Sequence, residues 1–535
     1  MPTPSQAIVE TLSNLGVSVI FSLSGNQIMP IYDACIDAGI RVIHVRHEAA
    51  AVYMAEAYAQ LTDGIGVALV TAGPGLASAM GPMFTSMMSE SPVLLLSGDS
   101  PIAEDGAGAF QELDQTAISA PLTKASKRPL TADSLGNDLA EVINLACSGR
   151  PGPVHLALPV DLLMATAELD NDFVNEINKI EQIIDNNTIN EIISALNTAE
   201  RPLIAVGPAL TASRIGGALS ALADAVDAPV IALESPRGLR DPALGQFAKV
   251  LAEADVVVSI QKPADFMLGF LTPPAVDAGC AVIMIDPDPA VLAAAEDKLA
   301  GRLQLAAVAD GRAGITALTA AGRGGHRRQS WRADVAAAIA ARVAVDGSDW
   351  MPMHPATACA VIDDFSKQSG DCIHIGDGGE FGQWAQALVS APTRIINGPS
   401  GSIGGGLCYA IAAKLARPEA TVVVTMGDGS AGFHLSEFET AHRYGIAIIA
   451  VVGHDAKWNA EVQLQIRDFG PNRVFETELN MTRYDLAAGA LGGHGAHVRE
   501  VAAFDAALNA AKASGLPALV AVEIEGLPAP SGPSH

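Results

Sequence analysis

Positive charge is scarce in this chain. Its 535 residues carry 32 Lys and Arg against 59 Asp and Glu, a formal net charge of −27. Nucleic-acid binding needs a basic footprint for the phosphates, so that class is excluded. Aromatic residues make up only 4%. The six cysteines, Cys35, Cys147, Cys280, Cys359, Cys372 and Cys408, are scattered and form no CxxC pair. That spacing offers no zinc or disulfide framework, and they read as reduced, mostly buried small hydrophobes of a cytoplasmic protein. The start MPTPSQAIVE has neither a basic region nor an apolar core, so no signal peptide is expected. The uncharged stretch Gly64–Ser89 is broken by Gly73-Pro74-Gly75 and Gly81-Pro82. It reads as strand, loop and helix, and no membrane segment is expected.

What is present is a large apolar fraction, 49%, with 17% charged residues, the balance of a globular chain with substantial cores. Strand-like runs alternate with helical patterns along its length. VSVIFSL, RVIHV, GIGVALVT, PVLLLSGD and GPVHLALPV fall in a first unit, 1–165. RPLIAVGP, APVIALE, ADVVVSI and AVIMIDPDP fall in a second, 188–322. CIHIGD, TRIING, TVVVTM, IAIIAVVG, HGAHVR and PALVAVEIE fall in a third, 351–526. Such alternation predicts an α/β fold of three doubly wound parallel-sheet domains. The acidic, Asn-rich segment Ala165–Asn187 reads as a surface linker, and AGRGGHRRQSW as a solvated basic connector. The tail PAPSGPSH is expected to be disordered.

The most informative stretch is Thr421–Gln465. An apolar run ends abruptly in Gly427-Asp428-Gly429-Ser430, a helix is expected over about His434–Arg443, and a second apolar run ends in His454-Asp455. Asp428 and Asp455 are 27 positions apart, yet each follows a strand, so neighbouring strands would bring them together. Two hard oxygen ligands beside backbone amides at a helix entrance suit Mg²⁺ bridged to a phosphate. The plainer reading of Asp-Gly alone is a turn, and the second acid weighs against it.

GDGS followed by the Asp455 strand end resembles the thiamine-diphosphate motif of the acetolactate synthase, pyruvate oxidase and benzoylformate decarboxylase superfamily. The resemblance implies Mg²⁺ ligation by Asp428, Asp455 and the carbonyl of Lys457. The family often has Asn where Asp455 stands, and Asp keeps the oxygen ligand while adding charge. His47–Ala59, HEAAAVYMAEAYA, resembles the family's H-E-x-x-A-x-x-M-A-x-x-Y-A run. That implies a hydrogen bond from Glu48 to a pyrimidine ring nitrogen of thiamine diphosphate, although a Glu in a first helical turn can equally serve the helix dipole. His44 and His47 read as structural. In Gly401-Ser402-Ile403-Gly404-Gly405-Gly406 the apolar Ile403 is expected to wedge under the coenzyme and hold its two rings close. The family often continues Leu-Pro there, whereas Leu407 is followed by Cys408.

Further positions carry over less specifically. Gly378-Gly379-Glu380 resembles a diphosphate-holding loop, and Gly73-Pro74-Gly75 is expected near the pyrimidine ring. Phe110-Gln111-Glu112 resembles the A-F-Q-E loop of acetolactate synthase-like enzymes, which points Gln111 at substrate. By the same resemblance Asn26 and Gln27, unusual at their loop, are expected as neutral donors near the reacting carbon, with an ordinary surface-loop place for Gln27 as the equal alternative. Trp458, Asn459, Glu461 and Gln463 follow the metal strand. None of these loops carries a basic residue placed to hold a sulfonate or phosphonate.

Taken over nearly the whole chain, the resemblance implies pyrimidine-binding, middle Rossmann-like and diphosphate-binding domains. It implies a 2-oxo acid decarboxylase and carboligase that works as a homodimer or homotetramer, its sites formed between subunits. The run Lys262–Phe266 is related to one in 2-hydroxyacyl-CoA and oxalyl-CoA lyases, which keeps an acyl-CoA substrate as the alternative. The middle domain binds FAD, ADP or nothing in such relatives. A non-catalytic Rossmann-like nucleotide-binding protein is the reading from another class.

Overall fold

The computed structural model describes residues 3–165, 177, 180–341 and 350–530. Among the described residues seventeen strands form three sheets, and every pairing between them is parallel. The first holds β1 (Val19–Ser22), β2 (Arg41–His44), β3 (Gly66–Val70), β4 (Val93–Asp99), β5 (Ser126–Lys127) and β6 (Val154–Pro159) in the order β2-β1-β3-β4-β6-β5. The second holds β7 (Pro202–Val206), β8 (Val230–Ala232), β9 (Val256–Ile260), β10 (Ala281–Asp286) and β11 (Leu303–Val308) as β11-β10-β9-β7-β8. The third holds β12 (Cys372–Gly376), β13 (Thr393–Ile396), β14 (Thr421–Gly427), β15 (Ile449–His454), β16 (His494–Val498) and β17 (Ala518–Glu523) as β13-β12-β14-β15-β17-β16.

Parallel strands are covered on both faces, which is why their sequences are continuous apolar runs. Val422–Met426 of β14 and all of β15 are buried. In each sheet the strand order reverses at its middle, between β1 and β3, β7 and β9, and β12 and β14, and in the first and third sheets the last strand also steps back inside the one before it, β6 inside β5 and β17 inside β16. The carboxyl edges at those reversals are crevices by construction, because the following loops depart in opposite directions.

The first and third units share one apolar core. It runs from Phe21 and Val70 through the helices Glu48–Thr62 and Gly406–Ala416 to Val422 and Leu519. Both helices are rich in alanine, so their axes approach closely. The middle sheet has its own cores on either face.

The basic connector departs from the expectation of a solvated linker. Its end enters the helix Gln329–Ala340, where Trp331 is buried and its Nε1 donates to Pro202 O at 2.8 Å. The backbone amide of Arg328 donates to Asp227 at 3.1 Å. Most of the acidic linker and the last five residues of the tail lie outside the described residues.

Candidate active site

Four strand ends of the third sheet surround a cavity of about 230 Å³. Gly378, Gly379 and Glu380 follow β12, with Gly379 opening the helix Gly379–Leu388. Gly401 and Ile403 stand on the loop after β13. Gly427 closes β14, and Asp428, Gly429 and Ser430 form the short helix Asp428–Ala431. Asp455 and Lys457 follow β15, and Trp458, Asn459 and Glu461 close the rim.

Asp428 is 1% exposed. Its Oδ1 accepts the Gly429 amide at 2.8 Å, while Oδ2 has no hydrogen-bond partner. Burial pushes its pKa up to about 6, against the lowering pull of amides that include Ala456 and Lys457. Asp455 is pushed up to about 7, first by burial and then by the charge of Asp428. The two acids therefore meet as their spacing implied. A buried pair of like charges calls for a cation. The Ser430 hydroxyl is also buried without a partner. Among the described residues no cluster of three His, Cys, Asp or Glu is placed to hold a metal. A cation here would draw on two carboxylates, a backbone carbonyl and ligand oxygens, the donor set Mg²⁺ prefers. These orphaned oxygens beside helix-entrance amides fit a metal-bridged diphosphate.

Asp377 organises the Ile403 loop and was not singled out from sequence. It is fully buried at the end of β12, and its carboxylate accepts the amides of Gly378 at 2.5 Å, Gly404 at 2.9 Å and Gly406 at 2.8 Å. Asn397 Nδ2 adds a bond to Ser402 O at 2.7 Å. Ile403 is thereby held against Gly378, where any Cβ would collide with its Cγ2.

A second cluster sits at the carboxyl edge of the first sheet. Gln27 is 4% exposed, and its Nε2 donates to Gln111 Oε1 at 2.9 Å. Thr71 Oγ1 donates to Gln27 Oε1 at 2.5 Å. Gln111 is left-handed, φ 62°, and faces Gly73, φ 56°, so closely that a Cβ on Gly73 would stand 2.9 Å from Gln111 O. Strained backbone of this kind persists where surrounding structure over-determines it. Glu48 opens the helix Glu48–Thr62, capped by His47, whose Nδ1 accepts the Ala49 amide at 3.1 Å. The Glu48 carboxylate lies beside Gly75, its Oε1 3.8 Å from where a Cβ there would stand, and makes no hydrogen bond to a described residue. Asn26 is exposed on the short helix Asn26–Ile28.

The structure thus gathers the candidates into two groups. Asp428, Asp455, Ile403 and the glycine loops line one cavity, while Glu48, Gln27, Gln111 and Gly73 form the other cluster. Among the described residues lining the cavity, none comes from the first unit. Gln463 does not line the cavity; its Nε2 donates to the rim residue Asn459 at Oδ1, 2.9 Å away. Unanticipated residues also line it, among them Ser235, Pro236 and Arg237 from the middle unit.

Comparisons with known proteins match this division. The thiamine pyrophosphate enzyme N-terminal TPP binding domain matches residues 2–118, and the C-terminal TPP binding domain matches residues 377–522. A probable acetolactate synthase of Mycobacterium bovis is 31% identical over 530 residues, covering 96% of this chain and 94% of that one. The chain belongs to the thiamine pyrophosphate enzymes. A 2-hydroxyacyl-CoA lyase 2 of Danio rerio is 27% identical, covering 92% of this chain and 86% of its own. The fold of this thiamine pyrophosphate enzyme matches a thiamine diphosphate-dependent 4-hydroxybenzoylformate decarboxylase of Rhodococcus jostii. The TM-score is 0.83 at 21% identity, over 98% of this chain and 99% of that one. Family membership sets aside the non-catalytic nucleotide-binding reading.

Proposed function

We propose that this thiamine pyrophosphate enzyme requires Mg²⁺, decarboxylates a 2-oxo acid and joins the resulting acyl unit to a second carbonyl. The observation that carries this is the buried Asp428–Asp455 pair with its orphaned oxygen beside the Gly429 and Ser430 amides. Family relatives named acetolactate synthases favour the carboligation version.

In this reading Asp428, Asp455 and the Lys457 carbonyl hold Mg²⁺. The backbone of Gly378, Gly379, Gly401, Gly427, Gly429 and Ser430 cradles the diphosphate, with Ser402 and Glu380 beside it. Thiamine diphosphate, when bound, supplies a nucleophilic carbon and an electron sink for the acyl group. Glu48 holds a proton at the pyrimidine ring, with Gly73 shaping the contact. Ile403 is the apolar prop, held in place through Asp377. Gln27, Gln111 and Asn26 orient the carbonyl by hydrogen bonding. Near the rim, Trp384 Nε1 and Asn459 Nδ2 each donate to Leu527 O at 3.3 Å, and the Ala529 amide donates to Glu380 at 3.1 Å. These bonds fasten the segment Leu527–Ala529 beside Asn459 and Glu380.

The working unit in this reading is a cytoplasmic homodimer or homotetramer, with Glu48 of one copy facing the Asp428 cavity of another. Support comes from the separation of the two clusters within one chain and from the apolar residues beside them, such as Phe110, 70% exposed. Among the described residues no helix is long and apolar enough to cross a membrane.

The second reading is a 2-hydroxyacyl-CoA lyase, favoured by relatives of that name. The Lys262 run supports it little, because Lys262 is buried and paired with Asp265 at 2.5 Å. FAD or ADP in the middle domain would have to enter the crevice between β7 and β9. There Glu90 accepts Gln261 Nε2 at 2.9 Å and the Ala209 amide at 3.4 Å. An absorbance spectrum of the purified protein tests for flavin.

Calorimetric titration with thiamine diphosphate, with and without Mg²⁺, tests the coenzyme assignment. A screen of 2-oxo acids and acyl-CoAs, with products identified by mass, separates the two reactions. Coenzyme binding that ignores Mg²⁺ would overturn the metal, and turnover of acyl-CoAs alone would overturn the 2-oxo acid.

A further inference from the structure

We propose that Arg237 is the anion-recognition residue of this active site, gripping an oxyanion of the substrate at the cavity mouth. The oxyanion is the carboxylate of a 2-oxo acid or a phosphate of an acyl-CoA. This deepens the function proposed above and rests on it.

Arg237 reaches the cavity because the middle unit is docked onto the third. β8 runs into Glu234, whose carboxylate pairs with Arg394 of β13 at 2.5 Å and 3.2 Å. Ser213 Oγ adds a bond to Arg394 O at 2.8 Å. The chain that follows, Ser235-Pro236-Arg237, lines the same cavity as Asp428 and Asp455. Pro236 packs beside Gly401 on the Ile403 loop. The Arg237 amide donates to Ser235 Oγ at 3.3 Å, which closes the turn that presents the side chain.

The guanidinium itself is uncommitted. It makes no side-chain hydrogen bond or ion pair with any described residue, although Glu380 and Glu461 are among the carboxylates that act on it through space. Glu380 accepts the Ala529 amide, and Glu461 is exposed on the rim. Arg237 is exposed at the cavity mouth, and partial loss of solvation is the first cause that draws its pKa below the ordinary value. Lys457, the other cation lining the cavity, acts on Asp455.

Charge decides what such a residue is for. Four acids, Glu380, Asp428, Asp455 and Glu461, line the cavity of a chain whose net charge is −27. An anionic substrate approaching that edge meets repulsion. A planar fork of donors at the mouth offsets it and matches a carboxylate or phosphate in two parallel bonds.

The test titrates the protein with oxamate, an unreactive 2-oxo-acid isostere, and separately with desulfo-coenzyme A. Both titrations are run on the enzyme loaded with thiamine diphosphate and Mg²⁺ and on coenzyme-free protein. Arg237→Ala is expected to weaken one probe by about 10-fold or more, and Arg237→Lys, which keeps the charge but loses the fork, to recover part of it. A change for oxamate assigns the carboxylate, and a change for desulfo-coenzyme A assigns the phosphate. Equal affinity of wild type and Arg237→Ala for both probes, or no binding of either by wild type, overturns the proposal. Failure of wild type to bind thiamine diphosphate overturns the functional reading instead, and the coenzyme-free titrations still decide Arg237.

Discussion

The Tyr409 hydroxyl donates to Glu56 Oε2 across 2.8 Å, tying the helix Gly406–Ala416 of the third unit to the helix Glu48–Thr62 of the first. Glu56 is 0% exposed, and Gln60 Nε2 and Ser86 Oγ donate to it at 3.2 Å and 3.3 Å. Burial outweighs these bonds and raises its pKa from 4.5 to about 7. Between those values the unfolded chain has lost this proton while the folded chain keeps it, so stability falls as pH rises through the window. Below it both states are protonated and the term vanishes. Glu56→Gln is neutral throughout and keeps an acceptor for Tyr409. It is expected to gain stability relative to wild type between pH 5 and pH 8 by about 1–3 kcal/mol. Thermal unfolding at several pH values measures this. A variant-to-wild-type difference that does not change with pH removes Glu56 from the account.

Ile403 rests on Gly378, and a methyl group at Gly378 would occupy the same space as Ile403 Cγ2. Gly378→Ala must therefore push Ile403 off its position. Coenzyme affinity is expected to fall by about 10-fold, because the prop no longer fits the bound conformation. Ile403→Ala makes room for that methyl, so adding Gly378→Ala to it should cost far less than in wild type. A double-mutant cycle on the dissociation constant reads this coupling directly. Additive effects would show that the two residues act independently.

What could be read beforehand follows from how far along the chain each signal extends. All six strands of the third sheet were legible, since continuous β-branched runs such as Val422–Val424 mark parallel strands buried on both faces. β5 and β11 were not anticipated. The first is two polar residues, and the second, LQLAAV, is an edge strand of alternating exposure with little β-branching. The helix expected over about His434–Arg443 begins only at Glu437, and a separate short helix starts at Asp428 itself. Asp428 and Asp455 were legible because one βαβ unit fixes their proximity. Asp377 was overlooked because an Asp between glycines at a strand end reads as a turn. Its partners Gly404 and Gly406 lie on another loop. Arg237 comes from a different unit, and only the docking of Glu234 onto Arg394 brings it to the cavity.

Replacing the two acids should have unequal effects. Asp428 is the more enclosed, with one oxygen already bound by Gly429 and the other buried without a hydrogen-bond partner, 3.6 Å from His454 Nε2. Asp428→Ala is expected to weaken Mg²⁺-dependent coenzyme binding by about 10- to 100-fold. Asp455→Asn keeps an oxygen ligand, removes one of two repelling charges, and should bind the coenzyme within a few-fold of wild type. Dialysis against a chelator should release thiamine diphosphate from wild type. Retention of the coenzyme after complete metal removal would contradict the proposed role of this pair.

The separation of Glu48 from the Asp428 cavity gives the sharpest test of assembly. Glu48→Ala should bind coenzyme nearly as wild type does, yet lose about 10²–10⁴ in kcat through loss of its proton-holding group. Asp428→Ala should be inactive for the other reason, loss of the metal and coenzyme. If each site takes Glu48 from one copy and Asp428 from another, a mixed dimer of the two variants contains one intact site and one doubly defective site. Unfolding and refolding an equal mixture, or co-expressing the two, should then restore roughly a quarter of wild-type activity, as random pairing in a two-fold dimer dictates. A site built within a single chain would leave every site in the mixture defective, and no activity would return.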